Sequence, residues 1–296
     1  MDPVLAANLK KVRMAIKSAC ARGSRDVNSI HLVVATKYVD VEKIEALIAT
    51  DKNVIIGESR VQDAVRKIKV LLDNGCVAAR TGGLQKKGEM SRLGMGKVHF
   101  IGHLQTNKIK AILPYIDMLH SLDRLSLAIA LEKALASENR VLPVLLQINV
   151  SGEASKFGFS PDEALRVLPS LATFKSLRIS GLMTMAPDFR SLSTPTLIAS
   201  SSPKDAHLDA SKSHVREHKP LEHKTLEHKT LEQKQAAVRT CFRTLRLLAD
   251  TFRNRAQAEG YENIVMDELS MGMSQDFEIA IEEGATMVRL GGIVLK

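Results

Sequence analysis

A (β/α)8 barrel, the TIM barrel of the α/β class, is the fold this sequence predicts, and two observations predict it. Eight short apolar runs recur along the chain, and stretches with helical apolar spacing lie between them. That alternation marks βαβ units, and eight parallel strands is the number that closes such a barrel. The 296 residues fit one barrel domain, and an apolar content of 45% supplies a sizeable core.

Taken in order, a first helix over Pro3–Ala21 precedes the barrel and would plug or flank it. Strands are expected at 31–36, 53–57, 98–102, 118–121, 143–149, 178–183, 264–269 and 286–290. Each is a short run too brief for a helix and bounded by turn residues. Helices are expected over Val41–Thr50, Ser59–Leu72, Leu125–Ser137, Pro161–Ala172, Ala236–Glu259 and Ser274–Glu283. The last has clear punctuation: Ser274 as N-cap, the acids Asp276 and Glu278 in the first turn, and Gly284 to end it.

Two stretches break this rhythm and read as insertions, about 74–97 and about 190–234. The first is rich in glycine and bases. The second carries a five-residue repeat, His218-Lys-Pro-Leu-Glu, His223-Lys-Thr-Leu-Glu and His228-Lys-Thr-Leu-Glu232. Solenoid repeats are much longer than this, and a five-residue period drifts around a helix without making an apolar stripe. A low-complexity surface insertion is expected, and the histidines have no partner cluster that would make a metal site.

The net charge is +9, and between Arg60 and Lys110 eleven bases face only three acids. A nucleic-acid role is not expected all the same. Aromatics are 4% of the chain, tryptophan is absent, and no nucleic-acid motif appears. The stretch reads as solvated surface, or as a patch for phosphate or an acidic partner. No run reaches the roughly 18–20 apolar residues of a membrane span, and the start lacks the order of a secretory signal. Three scattered cysteines argue against a disulfide framework or zinc site, so cytoplasm is the expected compartment.

The chemistry concentrates at two strand ends. Lys37 closes the run His31-Leu-Val-Val-Ala-Thr-Lys37, where a barrel presents its reactive groups. The last run, Met287-Val-Arg-Leu-Gly-Gly-Ile-Val294, places Arg289 and the pair Gly291–Gly292 at a similar end. A lysine amine forms a Schiff base with an aldehyde cofactor, glycine amides cradle phosphate, and an arginine can face a ring nitrogen. Together these point to pyridoxal 5'-phosphate (PLP). Partial burial and a neighbouring positive charge would lower the pKa of such a lysine from its usual value of about 10.4.

Further words lie at the other strand ends: Gly57-Glu-Ser-Arg-Val-Gln62, His99-Phe-Ile-Gly-His-Leu-Gln105, His120-Ser-Leu-Asp123, Gln147-Ile-Asn-Val-Ser-Gly-Glu153, Gly181-Leu-Met-Thr184 and Leu269-Ser-Met-Gly-Met-Ser274. With these, the chain resembles the pyridoxal phosphate homeostasis protein family (the YggS or PROSC family) over nearly all its length outside the insertions. The resemblance implies a barrel like the N-terminal domain of alanine racemase and a cytosolic PLP carrier or reservoir without established turnover. It implies Lys37 as the Schiff-base lysine and Arg289 facing the pyridine nitrogen. Ser270 and the backbone at Gly291 and Gly292 would hold phosphate, and Asn149 and Met183 would face the cofactor. The partners implied are PLP itself and PLP-accepting apo-enzymes.

Two departures stand out. Ser59 replaces the asparagine usual in the family, and Gly292 replaces a threonine or serine. A lost hydrogen bond to a charged group is worth about 1.5–3 kcal/mol, so weaker PLP binding is expected. The rival reading is a PLP-dependent racemase or decarboxylase. A two-base racemase needs a second acid–base group, for which His103 is the best candidate here. Tyr38 neighbours Lys37, but adjacent strand residues point to opposite faces. With no residues left for a second domain, a monomer is expected. A third class is a pure binding module that uses the basic stretch and the repeat.

Overall fold

Eight parallel strands hydrogen-bond in sequence order, and the eighth returns to the first, in the computed structural model of this chain. The structure describes residues 2–78, 96–153, 156–187 and 230–296. Most of both expected insertions, including the repeat up to Lys229, lies outside the described residues.

The strands are β1 (His31–Ala35), β2 (Ile55–Glu58), β3 (Lys97–Phe100), β4 (Met118–Leu122), β5 (Leu142–Gln147), β6 (Leu177–Met183), β7 (Ile264–Ser270) and β8 (Met287–Leu290). Each expected strand is present, shifted by at most two residues at either end. Alternation of side chains divides the core in two. Leu32, Val34, Ile56, Val98, Phe100 and Leu119 face outward into a large apolar layer beneath the helices. Val33, Ile55, Met118, Leu145, Met183 and Met287 face inward and pack with Ile101. Burial on both faces is why these strands read as continuous apolar runs.

The helices are α1 (Pro3–Arg22), α2 (Val41–Thr50), α3 (Val61–Asp73), α4 (Ile109–Ile112), α5 (Leu125–Ala136), α6 (Pro161–Ala172), α7 (Leu231–Glu259), α8 (Phe277–Glu282) and α9 (Gly292–Leu295). α1 flanks the barrel, burying Leu5, Leu9, Val12, Ile16 and Ala19 on one stripe. Asn8 donates from Nδ2 to the carbonyls of Val294 and Lys296, so this helix also grips the far end of the chain. α6 starts where its sequence says: Ser160 accepts from the Glu163 amide, Pro161 takes the first position, and acids follow.

Three helix starts differ from expectation, α3 by two residues, since it begins at Val61 rather than Ser59. α7 begins five residues early, because Thr230 of the last repeat unit forms a capping box with Gln233. α8 begins at Phe277 rather than after Ser274, since Asp276 folds back to accept from the Met273 amide.

The β6–β7 seam is irregular. The register shifts between Ile179 and Gly181, and Met266 takes a left-handed φ of 59°. Gly181 is required there, because a Cβ would lie 1.8 Å from the Glu268 carbonyl oxygen.

Candidate functional site

β1 stops at Ala35, so Lys37 lies in the turn beyond it and is exposed rather than partly buried. Its ammonium stands 4.8 Å from the centroid of the Tyr38 ring, with the Arg60 guanidinium 5.6 Å from the same ring. Strand alternation does not govern a turn, so Tyr38 keeps company with Lys37 instead of facing away from it.

What fixes this turn lies beneath it. Thr36 is buried and donates from Oγ1 to Glu58 Oε1 at 2.6 Å. Lys67 of α3 donates to that same carboxylate oxygen at 3.0 Å and to the Thr36 carbonyl at 2.6 Å. The peptide unit joining Thr36 to Lys37 is thus clamped by a buried ion pair. Lys67 belongs to the basic stretch read as solvated, yet it is only 2% exposed. The signal was its spacing, since it shares the buried stripe of α3 with Ala64, Ile68 and Leu71. Glu58 Oε2 is buried without a partner.

Arg289 on β8 pairs in register with Val33 of β1 and is buried inside the barrel. Its Nη1 donates to the carbonyl and hydroxyl oxygens of Ser270, both at 2.7 Å, and Nη2 donates to the Thr184 carbonyl at 2.8 Å. Among the described residues no carboxylate forms an ion pair with it. Burial pushes its pKa down to about 10, opposed by the charge of Asp276, so it remains a cation at neutral pH.

Ser270, expected at phosphate, is fully buried, and its hydroxyl is engaged by Arg289 and by His120 Nδ1 at 2.9 Å. Met183 ends β6 beside Ser270 and packs into the inner apolar cluster. Asn149 does not face this group. Its Nδ2 donates to the Glu153 and Lys156 carbonyls and its Oδ1 accepts from Ser151, so the amide organises the loop after β5. Gly291 is the N-cap of α9 and Gly292 its first residue. The first bond of this helix runs from the Val294 amide to the Gly291 carbonyl, which leaves the preceding Gly292 and Ile293 amides as donors for a ligand. A Cβ on Gly292 would meet nothing nearer than Lys296 Cδ at 3.7 Å.

The structure therefore gathers Met183, Ser270, Arg289, Gly291 and Gly292 along β6, β7 and β8, with Lys37 on the adjoining turn after β1. It leaves Asn149 out. His103 sits at the rim with its Nδ1 2.7 Å from Asp123 Oδ2 and its ring stacked on Phe157 at 4.0 Å. Sequence reasoning missed Thr184, His99 and His120 as parts of the site. His99 Nδ1 lies 2.8 Å from His120 Nε2, deep in the barrel. Burial holds His99 at a pKa of about 3, and burial with neighbouring His99 and Arg289 holds His120 well below the usual imidazole range. Two histidines at alternating, inward positions of adjacent strands were the available signal.

Comparison with known proteins gives one answer. Residues 55–296 match the alanine racemase N-terminal domain family. The pyridoxal phosphate homeostasis protein of Aquifex aeolicus is 30% identical over 286 residues, which cover 97% of this chain and 95% of that one. A crystal structure of an unknown protein from Bifidobacterium adolescentis superposes with a TM-score of 0.71 at 26% identity, covering 99% of this chain and 97% of the other. PipY of Synechococcus elongatus, solved with PLP bound, superposes with a TM-score of 0.66 at 22% identity, over 99% of this chain and all of that one, and shows the shared fold.

Proposed function

The chain belongs to the alanine racemase N-terminal domain family, among its pyridoxal phosphate homeostasis proteins, and on that premise we propose that it binds PLP at the barrel mouth. In this reading PLP is held as a Schiff base on Lys37, and the protein serves PLP homeostasis as a cytoplasmic, monomeric carrier that passes it to apo-enzymes. The observation that supports it is the chemistry of the donor set. An exposed amine, a buried guanidinium and free first-turn amides stand on adjoining strand ends. All are donors, as an anionic phosphate ester bearing an aldehyde requires.

PLP when bound supplies an aldehyde that condenses with a lysine amine and loses water. The remaining work falls to this chain. Arg289 offers hydrogen bonds but keeps its proton, so it favours a neutral ring nitrogen that is a poor electron sink. That suits holding over turnover. The clamp on the Thr36 carbonyl holds the backbone from which Lys37 springs, and the Gly291–Gly292 turn offers amides to phosphate. The racemase or decarboxylase reading retains one favourable observation. His103 is oriented through Nδ1 by Asp123, as a general base would be.

The deciding experiment is the absorbance spectrum with added PLP, before and after borohydride, beside Lys37→Ala. A band near about 420 nm, fixed by reduction onto the Lys37 peptide and missing in the variant, is the expected result. No band at saturating PLP would end this reading. The departure at Gly292 gives a second expected result. Gly292→Ser has room for its side chain and should lower the Kd for PLP about tenfold by returning a hydroxyl donor. An unchanged Kd would show that the backbone amides act alone.

A further inference from the structure

A barrel interior is ordinarily filled by layers of branched apolar side chains. Here one level of it is polar. Reading inward from Arg289 on β8, the contacts run to Ser270 on β7, then to His120 on β4, then to His99 on β3. β4 lies opposite β8 in the closed order, so this line of four side chains crosses the barrel. All four are less than 9% exposed.

The direction of each proton along this line follows from its first member. An arginine can only donate, so Ser270 Oγ accepts from Arg289. Among the described residues the Ser270 hydroxyl has one other hydrogen-bond partner, His120 Nδ1. Were that nitrogen protonated, the hydroxyl would accept twice and its own proton would be buried without an acceptor, at a cost of about 1–3 kcal/mol. Ser270 therefore donates to His120 Nδ1. That ring must then carry its proton on Nε2 and donate it to His99 Nδ1, so His99 is protonated on Nε2 as well. Burial keeps both rings neutral, which this relay of single protons requires.

We propose that His120, backed by His99, is a positioning residue for Arg289: its Nδ1 accepts the hydrogen bond of the Ser270 hydroxyl, which keeps the Ser270 oxygen turned to the guanidinium and fixes that guanidinium at the barrel mouth. Without His120, Ser270 has no acceptor for its proton, and its oxygen is free to turn from Arg289. The protons take this order without PLP, and the effect on the cofactor rests on the PLP reading above. The chain also reassigns Ser270, whose only proton is committed inward and is not available to a phosphate.

The experiment uses the full chain in two arms. In the first, ring nitrogen-15 shifts of the apo protein report tautomers. His120 and His99 are both expected as the Nε2-protonated form from pH 6 to 8. An Nδ1-protonated ring or an imidazolium at either position would overturn the proposal. The second arm measures PLP affinity and the absorbance band. His120→Leu is expected to raise the Kd about tenfold and broaden the band. His120→Asn, whose amide oxygen can stand near the lost Nδ1, is expected to recover most of that loss. Equal affinity in wild type and His120→Leu, or equal loss in Leu and Asn, would overturn the positioning role. If His120→Leu does not fold, Ser270→Ala carries the same expected rise in Kd. If wild type binds no PLP, the cofactor reading fails, while the tautomer arm still decides the direction of the chain.

Discussion

Lys67→Met is expected to destabilise the fold by about 3–5 kcal/mol, the usual cost of leaving one member of a buried ion pair alone. The Glu58 carboxylate is 1% exposed and already has one oxygen without a partner. Removing Lys67 strips a charged hydrogen bond from the other oxygen and leaves Thr36 Oγ1 as its remaining donor. The Thr36 carbonyl loses its charged donor in the same step and keeps the Val39 amide at 3.3 Å. Urea unfolding measures the first effect, and a shift below about 1 kcal/mol would mean that water reaches Glu58. The double variant Glu58→Leu/Lys67→Met should recover most of the loss, because apolar groups of similar volume replace buried pairs at little cost. It should not recover PLP occupancy, since the peptide beneath Lys37 stays unclamped.

Acid is the second severe stress. His99 titrates near 3 in the folded barrel, against 6.5 for a free imidazole, and His120 is also lowered. Below pH 6.5 the unfolded chain therefore binds protons that the folded chain refuses. Unfolding takes up protons, and stability falls as pH falls, by about 1.4 kcal/mol per pH unit for each proton. The window opens at 6.5 and extends to about 3 for His99. Between pH 6.5 and 5 the two rings dominate. Lower still, Glu282 and Glu283 lose their arginine partners on protonation, while Asp276, raised by burial, acts in the opposite sense. Unfolding free energies measured from pH 7 to 5 should approach a slope of two protons, falling to near one in His120→Leu. A flat profile would mean that the rings are protonated in the folded state.

The strands were legible because barrel strands are buried on both faces and bounded by turns, so His31–Ala35 or Leu177–Met183 stands out with no knowledge of its neighbours. Helix starts were legible where the cap is local, as at Ser160. They were not where the deciding bond runs backward, as from Met273 to Asp276. The placement of Lys37, Arg289 and the glycine pair at strand ends could be read from single runs. The clamp under Lys37 and the histidine line could not, since their members come from the turn after β1, β2 and α3, or from β3, β4, β7 and β8. Only closure brings them together. The loop bonds of Asn149 were hidden for a related reason, because an amide at a strand end reads the same whether it meets a ligand or its own loop.

Closure of β8 onto β1 also sets a clock. Lys37 is synthesised 252 residues before Arg289, and at about 5–20 residues per second the wait between them is tens of seconds. Pairing of the first strand with the last joins residues from opposite ends of the barrel sequence, and such distant contacts form late. During that interval the nascent chain carries a lysine with neither its arginine nor its glycine turn. If Lys37 holds PLP as proposed, holding should thus appear in one step with barrel closure, and fragments bearing Lys37 alone should not retain the aldehyde.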